Sequence, residues 1–133
     1  MSRPAADVRR VIKAYDVRTP GPGALAGTLS GGNLQKVVLA RELSGEPGIL
    51  VCAQPTRGLD VGAIEFVHER ILAERGRGAA ILLISTELDE ILALSDRIAV
   101  ICKGEIMGTF PNENVSLERL GLMMAGNLRL PPC

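Results

Sequence analysis

Two short, unbroken apolar runs, "ILVCA" at residues 49–53 and "AAILLIS" at residues 79–85, most constrain the fold. Apolar runs of this length without polar alternation are the pattern of strands buried on both faces, as in parallel sheets covered by helices. Amphipathic sequence lies beside each run. Ser30 fits the N-cap of a helix from about Gly32 to Leu43, with Leu34, Val37, Val38 and Ala40 or Arg41 on successive turns. Asp60 caps a second predicted helix, from Val61 to Arg75, with Ile64, Val67, Ile71 and Leu72 inward and Glu65, Glu69 and Arg70 outward. Buried strands alternating with such helices imply βαβ crossovers, hence an α/β fold with a mostly parallel sheet and flanking helices.

The remaining segments read in the same way. Val8, Val11, Ile12 and Tyr15 have helical spacing and predict a short amphipathic helix over residues 5–15, followed by a breaker-rich loop, "RTPGPGALAG". "TELDEILALS" predicts a shorter helix, with Thr86 a candidate cap. "DRIAVICKGEIMGTF" predicts a hairpin turning at Lys103-Gly104, "SLERLGLMMAG" a last helix with Met123-Met124 on its packing face, and "NLRLPPC" a frayed tail.

Composition excludes several classes of function. The 133 residues suit a single domain. Aromatics make up 2% of the chain, with no Trp, which argues against single-stranded nucleic-acid binding by base stacking. Fifteen basic residues balance fifteen acidic ones, so no broad positive field attracts nucleic acid. Cys52, Cys102 and Cys133 match no metal-binding spacing, and two sit in apolar runs; buried, reduced thiols of a cytosolic protein are the expectation. No stretch approaches the roughly 20 apolar residues of a membrane span, and "MSRPAADVRR" lacks the apolar core of a signal peptide.

"LSGG" at Leu29–Gly32 is the strongest candidate for chemistry. Its glycines allow close backbone approach, Ser30 offers a hydroxyl, and the following helix directs its positive end to the same spot, an arrangement suited to a terminal phosphate. Four residues alone also describe a plain Ser-capped helix. The extension goes further. "LSGGNLQKVVLAREL", then an apolar strand, then "PTRGLD" resembles the ATP-binding cassette family, the ATPase subunits of membrane transporters. Gln35, Lys36, Ala40, Arg41, Glu42 and Leu43 stand where that family's signature continues, "ILVCA" matches its Walker B strand, and Gly58, Leu59 and Asp60 match its D-loop. The resemblance covers residues 28–110 as the ATPase core. It implies that residues 1–27 are the end of a helical subdomain with its linker, and residues 111–133 a C-terminal helix and tail. "AQPTRGLDVGA" and "ELDEILALSDRI" resemble the second cassette of double-cassette importers of simple sugars and nucleosides, the nucleoside branch above all.

The departures are as informative. Ala53 stands where the family carries the Asp that holds Mg²⁺ through water, and Gln54 where it carries the catalytic Glu. An amide can hydrogen-bond a water but cannot take its proton, and losing a general base typically costs about 10²- to 10⁴-fold in rate. Thr86 stands at the position of the switch His. Gln54 also fits a surface polar residue. No G-x-x-x-x-G-K-[ST] occurs in the chain, so no loop cradles the α- and β-phosphates, and the sequence reads as the back half of a partial P-loop cassette lacking the Walker A strand and loop. In the family that missing strand lies between those matching "AILLI" and "RIAVI", which implies two open strand edges here. His68 reads as a solvated or partly packed side chain, and Arg57 as either structural or partner-facing.

The resemblance therefore implies an ATP-binding importer subunit in which no catalytic set is intact and the chain alone is inactive. ATP would be contacted at Leu29, Ser30, Gly31, Gly32, Asn33, Gln35 and Asp60, with ATP and Mg²⁺ bound only in an assembled cassette dimer. The implied partners are a second cassette and transmembrane permease subunits, with no nucleic acid, and the implied location is cytoplasmic, peripheral on the inner face of the membrane. Two alternatives stand beside it: a truncated fragment without independent activity, and a chromosome-maintenance ATPase, which would keep the Walker B acids and coiled-coil arms that this sequence lacks.

Overall fold

A computed structural model describes residues 5–131. The chain forms two compact units, one ending at Ile84 and the other beginning at Ser85.

The first unit runs α1 (Ala5–Ala14), a 3₁₀ turn (Ala26–Thr28), α2 (Gly31–Leu43), β1 (Ile49–Ala53), α3 (Val61–Gly76) and β2 (Ala80–Ile84). Ser30 caps α2 by accepting from the Asn33 N–H, and Asp60 caps α3 by accepting from the Ala63 N–H. β1 and β2 pair in parallel across the α3 crossover, with Ile49 opposite Ala80 and Ala53 opposite Ile84. The predicted α/β arrangement is present, with the strands joined as a βαβ unit.

The strands are not buried on both faces. Leu50 and Cys52 are buried, as are Val67 and Ile71 of α3, whereas Ile49 (75% exposed), Val51 (61%), Leu82 (56%) and Ile84 (48%) share the other face of the strand pair. Consecutive strand residues alternate sides, so the helices of the unit cover one face and leave the other open. Helix faces shift for the same reason. On α2 the buried residues are Leu39, Ala40 and Leu43, while Leu34 and Val37 are exposed. On α3, Ala63 joins Val67 and Ile71 in the core and Leu72 turns out.

Arg70 was expected outward but is held inside a cluster. Its guanidinium lies 4.6 Å from the Tyr15 ring centroid and 5.0 Å from that of Phe66, and it donates to the Ala14 carbonyl at 2.7 Å. Lys36 stands 4.8 Å from the Phe66 ring centroid and donates to the Asp16 carbonyl at 2.9 Å. α1 ends in a Schellman motif, with Asp16 at φ 46°, Asp16 N–H donating to Lys13 and Val17 N–H to Ile12. That turn delivers the chain to the face of α2.

The second unit contains α4 (Leu88–Leu94), β3 (Arg97–Cys102), β4 (Glu105–Pro111) and α5 (Leu117–Met124). β3 and β4 form an antiparallel hairpin through Lys103 (φ 50°) and Gly104 (φ 80°), as the sequence predicts. Its core is Ile98, Val100, Met107, Leu120 and Met123, and Met124 is exposed rather than packed. The tail through residue 131 is not frayed. Leu130 N–H donates to Met107 O at 2.8 Å, Leu128 and Leu130 pack on the core, and Arg129 pairs with Glu105 at 3.1 Å. Cys52 is buried and Cys102 half-buried, neither of them in a disulfide; Cys133 lies outside the described residues. Among the described residues no helix is long and apolar enough to cross a membrane.

Met123 is 1% exposed. Met123→Ala should lower unfolding stability by about 2–5 kcal/mol, read by chemical denaturation.

Candidate functional site

The N-terminal turns of α2 and α3 meet. A Cβ built on Gly32 would lie 2.9 Å from the Ala63 Cβ and 3.8 Å from Asp60 Oδ2, and one on Gly31 would lie 3.9 Å from Leu59 Cδ2. The two glycines therefore differ in role. Gly32 is small because α3 occupies the space its side chain would need, and the obstructing atom is a Cβ that cannot rotate away. Gly31 is exposed and open on its outer side, where backbone approach to a ligand is free. The meeting also sets the predicted residues Ser30, Gly31 and Gly32 beside Leu59 and Asp60, residues far apart in sequence.

Asp60 spends one carboxylate oxygen on the start of α3, accepting from Ala63 N–H at 2.9 Å. Gln35 sits one turn further along α2, and its Nε2 donates to Pro55 O at 2.8 Å, which ties the helix to the loop after β1. Gln54 begins that loop in the left-handed region (φ 50°), donates from N–H to Ile84 O at 2.7 Å and accepts from Arg57 N–H at 3.3 Å. Ala53 is the exposed last residue of β1. The end of the strand therefore presents a methyl and an amide, with no carboxylate from either position.

Ser30 and Asn33 form a local network. Ser30 Oγ accepts from the Asn33 N–H at 3.4 Å and from its Nδ2 at 2.9 Å, and Asn33 Oδ1 accepts from Arg18 N–H at 2.8 Å. Leu29 turns the other way, lining an apolar cavity of about 320 Å³ with Val8, Val11 and Ile12 of α1 and Val37 and Ala40 of α2. Thr86 belongs to the second unit, on the exposed segment before α4. It is not the helix cap: Glu87 holds that position, and Ser85 Oγ accepts from Glu87 N–H at 3.0 Å. His68 is half-buried and Arg57 exposed.

Sequence reading missed the Arg18–Asn33 bond and the Tyr15–Phe66–Arg70 cluster. The Arg18–Asn33 bond and the approach of Tyr15 and the Ala14 carbonyl to Phe66 and Arg70 have no local signal, since those partners are 15 to 56 residues apart. The doublet of glycines was visible, but its division of labour was not.

Removing the room that Gly32 provides should be felt at once. Gly32→Ala should move α2 off α3 and destabilise the chain by about 1–3 kcal/mol, while Gly31→Ala should leave stability nearly unchanged; thermal or denaturant melts of the two variants check this.

No family model matches the chain. Over 119 residues, 90% of its length, it is 52% identical to the guanosine import ATP-binding protein NupO of Bacillus subtilis. Over 118 residues, 89% of its length, it is 50% identical to the nucleoside import ATP-binding protein NupA of Lactococcus lactis. The matched stretch is 23% of each of those proteins, so the chain spans under a quarter of the length of the curated relatives it matches. Among solved structures, the dimeric bacterial ABC transporter cassette MJ0796 superposes with a TM-score of 0.70 at 19% identity, over 86% of this chain and 51% of that one. A nucleotide-free ATP-binding cassette from an ABC transporter gives 0.66 at 27% identity, over 82% of this chain and 42% of that one. The fold is that of the P-loop ATPase domain of such cassettes. Motif order, relatives and fold agree: over nine-tenths of its length the chain is similar to part of the ATP-binding cassette ATPases, and these curated relatives are nucleoside and sugar import ATP-binding proteins.

Proposed function

We propose that this chain is part of the ATP-binding component of an importer for nucleosides or simple sugars, and that it supplies its signature in trans to the ATP site of a partner cassette. The observation that carries the reading is the contrast between two ends of the same unit. The α2 terminus holds an exposed Ser30 hydroxyl and an open Gly31 at the positive end of a 13-residue helix. The β1 terminus holds Ala53 and Gln54, which provide neither a carboxylate for a metal nor a base for water.

The terminal phosphate of ATP fits the first set. Ser30 Oγ can donate to a phosphate oxygen, the Gly31 backbone can approach it, and the helix end favours its charge. Mg²⁺ does not fit the second set, because a methyl and a neutral amide are poor ligands for a hard cation that prefers carboxylates and water. The cassette MJ0796 has been seen as a dimer bound to ADP and Pi, and we carry that arrangement over to this chain as the way its signature would meet nucleotide. Permease subunits would hold the assembly at the inner face of the membrane, the chain itself offering no spanning helix among its described residues.

A second reading, a truncated fragment with no independent activity, is favoured by the open apolar face of β1–β2 and by β2 pairing with β1 alone among the described residues. The two readings part on one experiment, ATP hydrolysis by the partner cassette and permease with and without this chain. In trans supply, the chain raises hydrolysis, Ser30→Arg removes about 100-fold of it or more, and Gln54→Ala stays within about 2-fold of the parent. Equal damage from Gln54→Ala would overturn the division of labour, and no response to the chain would favour the fragment.

A further inference from the structure

We infer that Asn33 is a positioning residue that commits the Ser30 hydroxyl to donate its proton outward, toward an anionic acceptor. The inference rests on the trans-signature reading above and adds to it how the phosphate-facing hydroxyl is prepared before nucleotide arrives.

The argument starts from the Asn33 amide. Its Oδ1 accepts from the backbone N–H of Arg18 at 2.8 Å, and a backbone N–H can only donate, so the oxygen must face Arg18. The NH₂ end is then left facing Ser30, and Nδ2 donates to Ser30 Oγ at 2.9 Å. The backbone N–H of Asn33 also points at Ser30 Oγ, at 3.4 Å. A hydroxyl has one proton and two lone pairs. Both lone pairs of Ser30 are directed at donors from Asn33, which leaves only the proton for a ligand. A serine that caps a helix through its N–H alone keeps a lone pair free and can equally accept. Ser30 cannot. It selects for an acceptor, and a phosphate oxygen is one.

The orientation depends on a remote segment. Arg18 follows the turn that ends α1, and that turn is pinned to α2 and α3 by Lys36 on the Asp16 carbonyl and by Arg70 on the Ala14 carbonyl. Shifting residues 16–18 would free Asn33 Oδ1 and let the amide rotate. The readiness of Ser30 is thereby tied to the position of α1.

Two substitutions separate this role from simple support of the Arg18 loop. Asn33→Asp keeps an oxygen for Arg18 N–H and sits in the first turn of a helix, where a carboxylate is favourable, so folding is preserved. It cannot donate to Ser30, and it offers the hydroxyl an acceptor that draws the proton inward. Asn33→Ala removes both bonds. The experiment is hydrolysis of MgATP by the chain assembled with its partner cassette and permease, for each variant in the Ser30 and Ser30→Ala backgrounds, with amide exchange at Arg18 as the check on the loop. The expected result is that Asn33→Ala costs about 10-fold with Ser30 present and under 2-fold in the Ser30→Ala background. Asn33→Asp should be at least as damaging as Asn33→Ala although Arg18 stays protected. Rescue by Asn33→Asp, or an equal cost in both backgrounds, would overturn the inference. Hydrolysis that survives Ser30→Arg would instead overturn the trans-signature reading beneath it.

Discussion

Everything at the candidate site depends on the approach of α2 to α3 at Gly32 and Ala63. A side chain at residue 32 would meet the Ala63 Cβ at 2.9 Å, closer than packed carbons tolerate, so the crossing exists only because that position is glycine. The contact fixes where Ser30 and Gly31 stand relative to Leu59 and Asp60. It also places Gln35 close enough to bond Pro55. The signature turn and the loop after β1 are thereby parts of one rigid assembly rather than two neighbouring loops.

A second set of contacts ties α1 into that assembly. Tyr15 and Phe66, two of the chain's three aromatic residues, meet edge-on with centroids 6.1 Å apart, and Arg70 lies against both rings. Cation–π contacts of this kind contribute roughly 0.5–2 kcal/mol each depending on desolvation. Here their value is geometric as well, because Lys36 and Arg70 also reach carbonyls at the end of α1. In a chain so poor in aromatics, placing two of them at this junction makes α1 a lever on α2. The Asn33–Arg18 bond lies at the end of that lever.

Local features of the fold were legible in the sequence wherever a short-range rule decides the outcome. Ser30 and Asp60 cap the helices they were expected to cap, and Lys103-Gly104 makes the tight turn its φ values demand. Partner-dependent features were not legible. Apolar periodicity put Leu34 and Val37 inward, but the residues of α2 that are buried are Leu39, Ala40 and Leu43. Arg70 looked solvent-facing because its partners, Tyr15 and the Ala14 carbonyl, are more than fifty residues away in sequence. The tail looked frayed, yet Leu128 and Leu130 pack on the core that contains Met107, and Leu130 bonds the Met107 carbonyl, which no local pattern announces. At the site, the motif offered the candidate residues, whereas the Arg18–Asn33 bond behind the inferred direction of the Ser30 proton joins residues fifteen apart in sequence.

The open face of β1–β2 bears on both the reading of the strands and the behaviour of the site. Ile49, Val51, Leu82 and Ile84 have the composition of a buried layer, yet they are the uncovered side of a two-stranded parallel pair. Parallel sheets are stable when both faces are covered, so these strands carry a demand for a second layer that the helices of their own unit do not meet. The same strands support the site. β1 ends at Ala53, Gln54 continues its ladder to Ile84, and the Pro55 carbonyl one residue later holds Gln35 of the signature helix. The loop after β1 therefore joins the open strand pair to the helix that carries Ser30, through the Gln54–Ile84 and Gln35–Pro55 bonds.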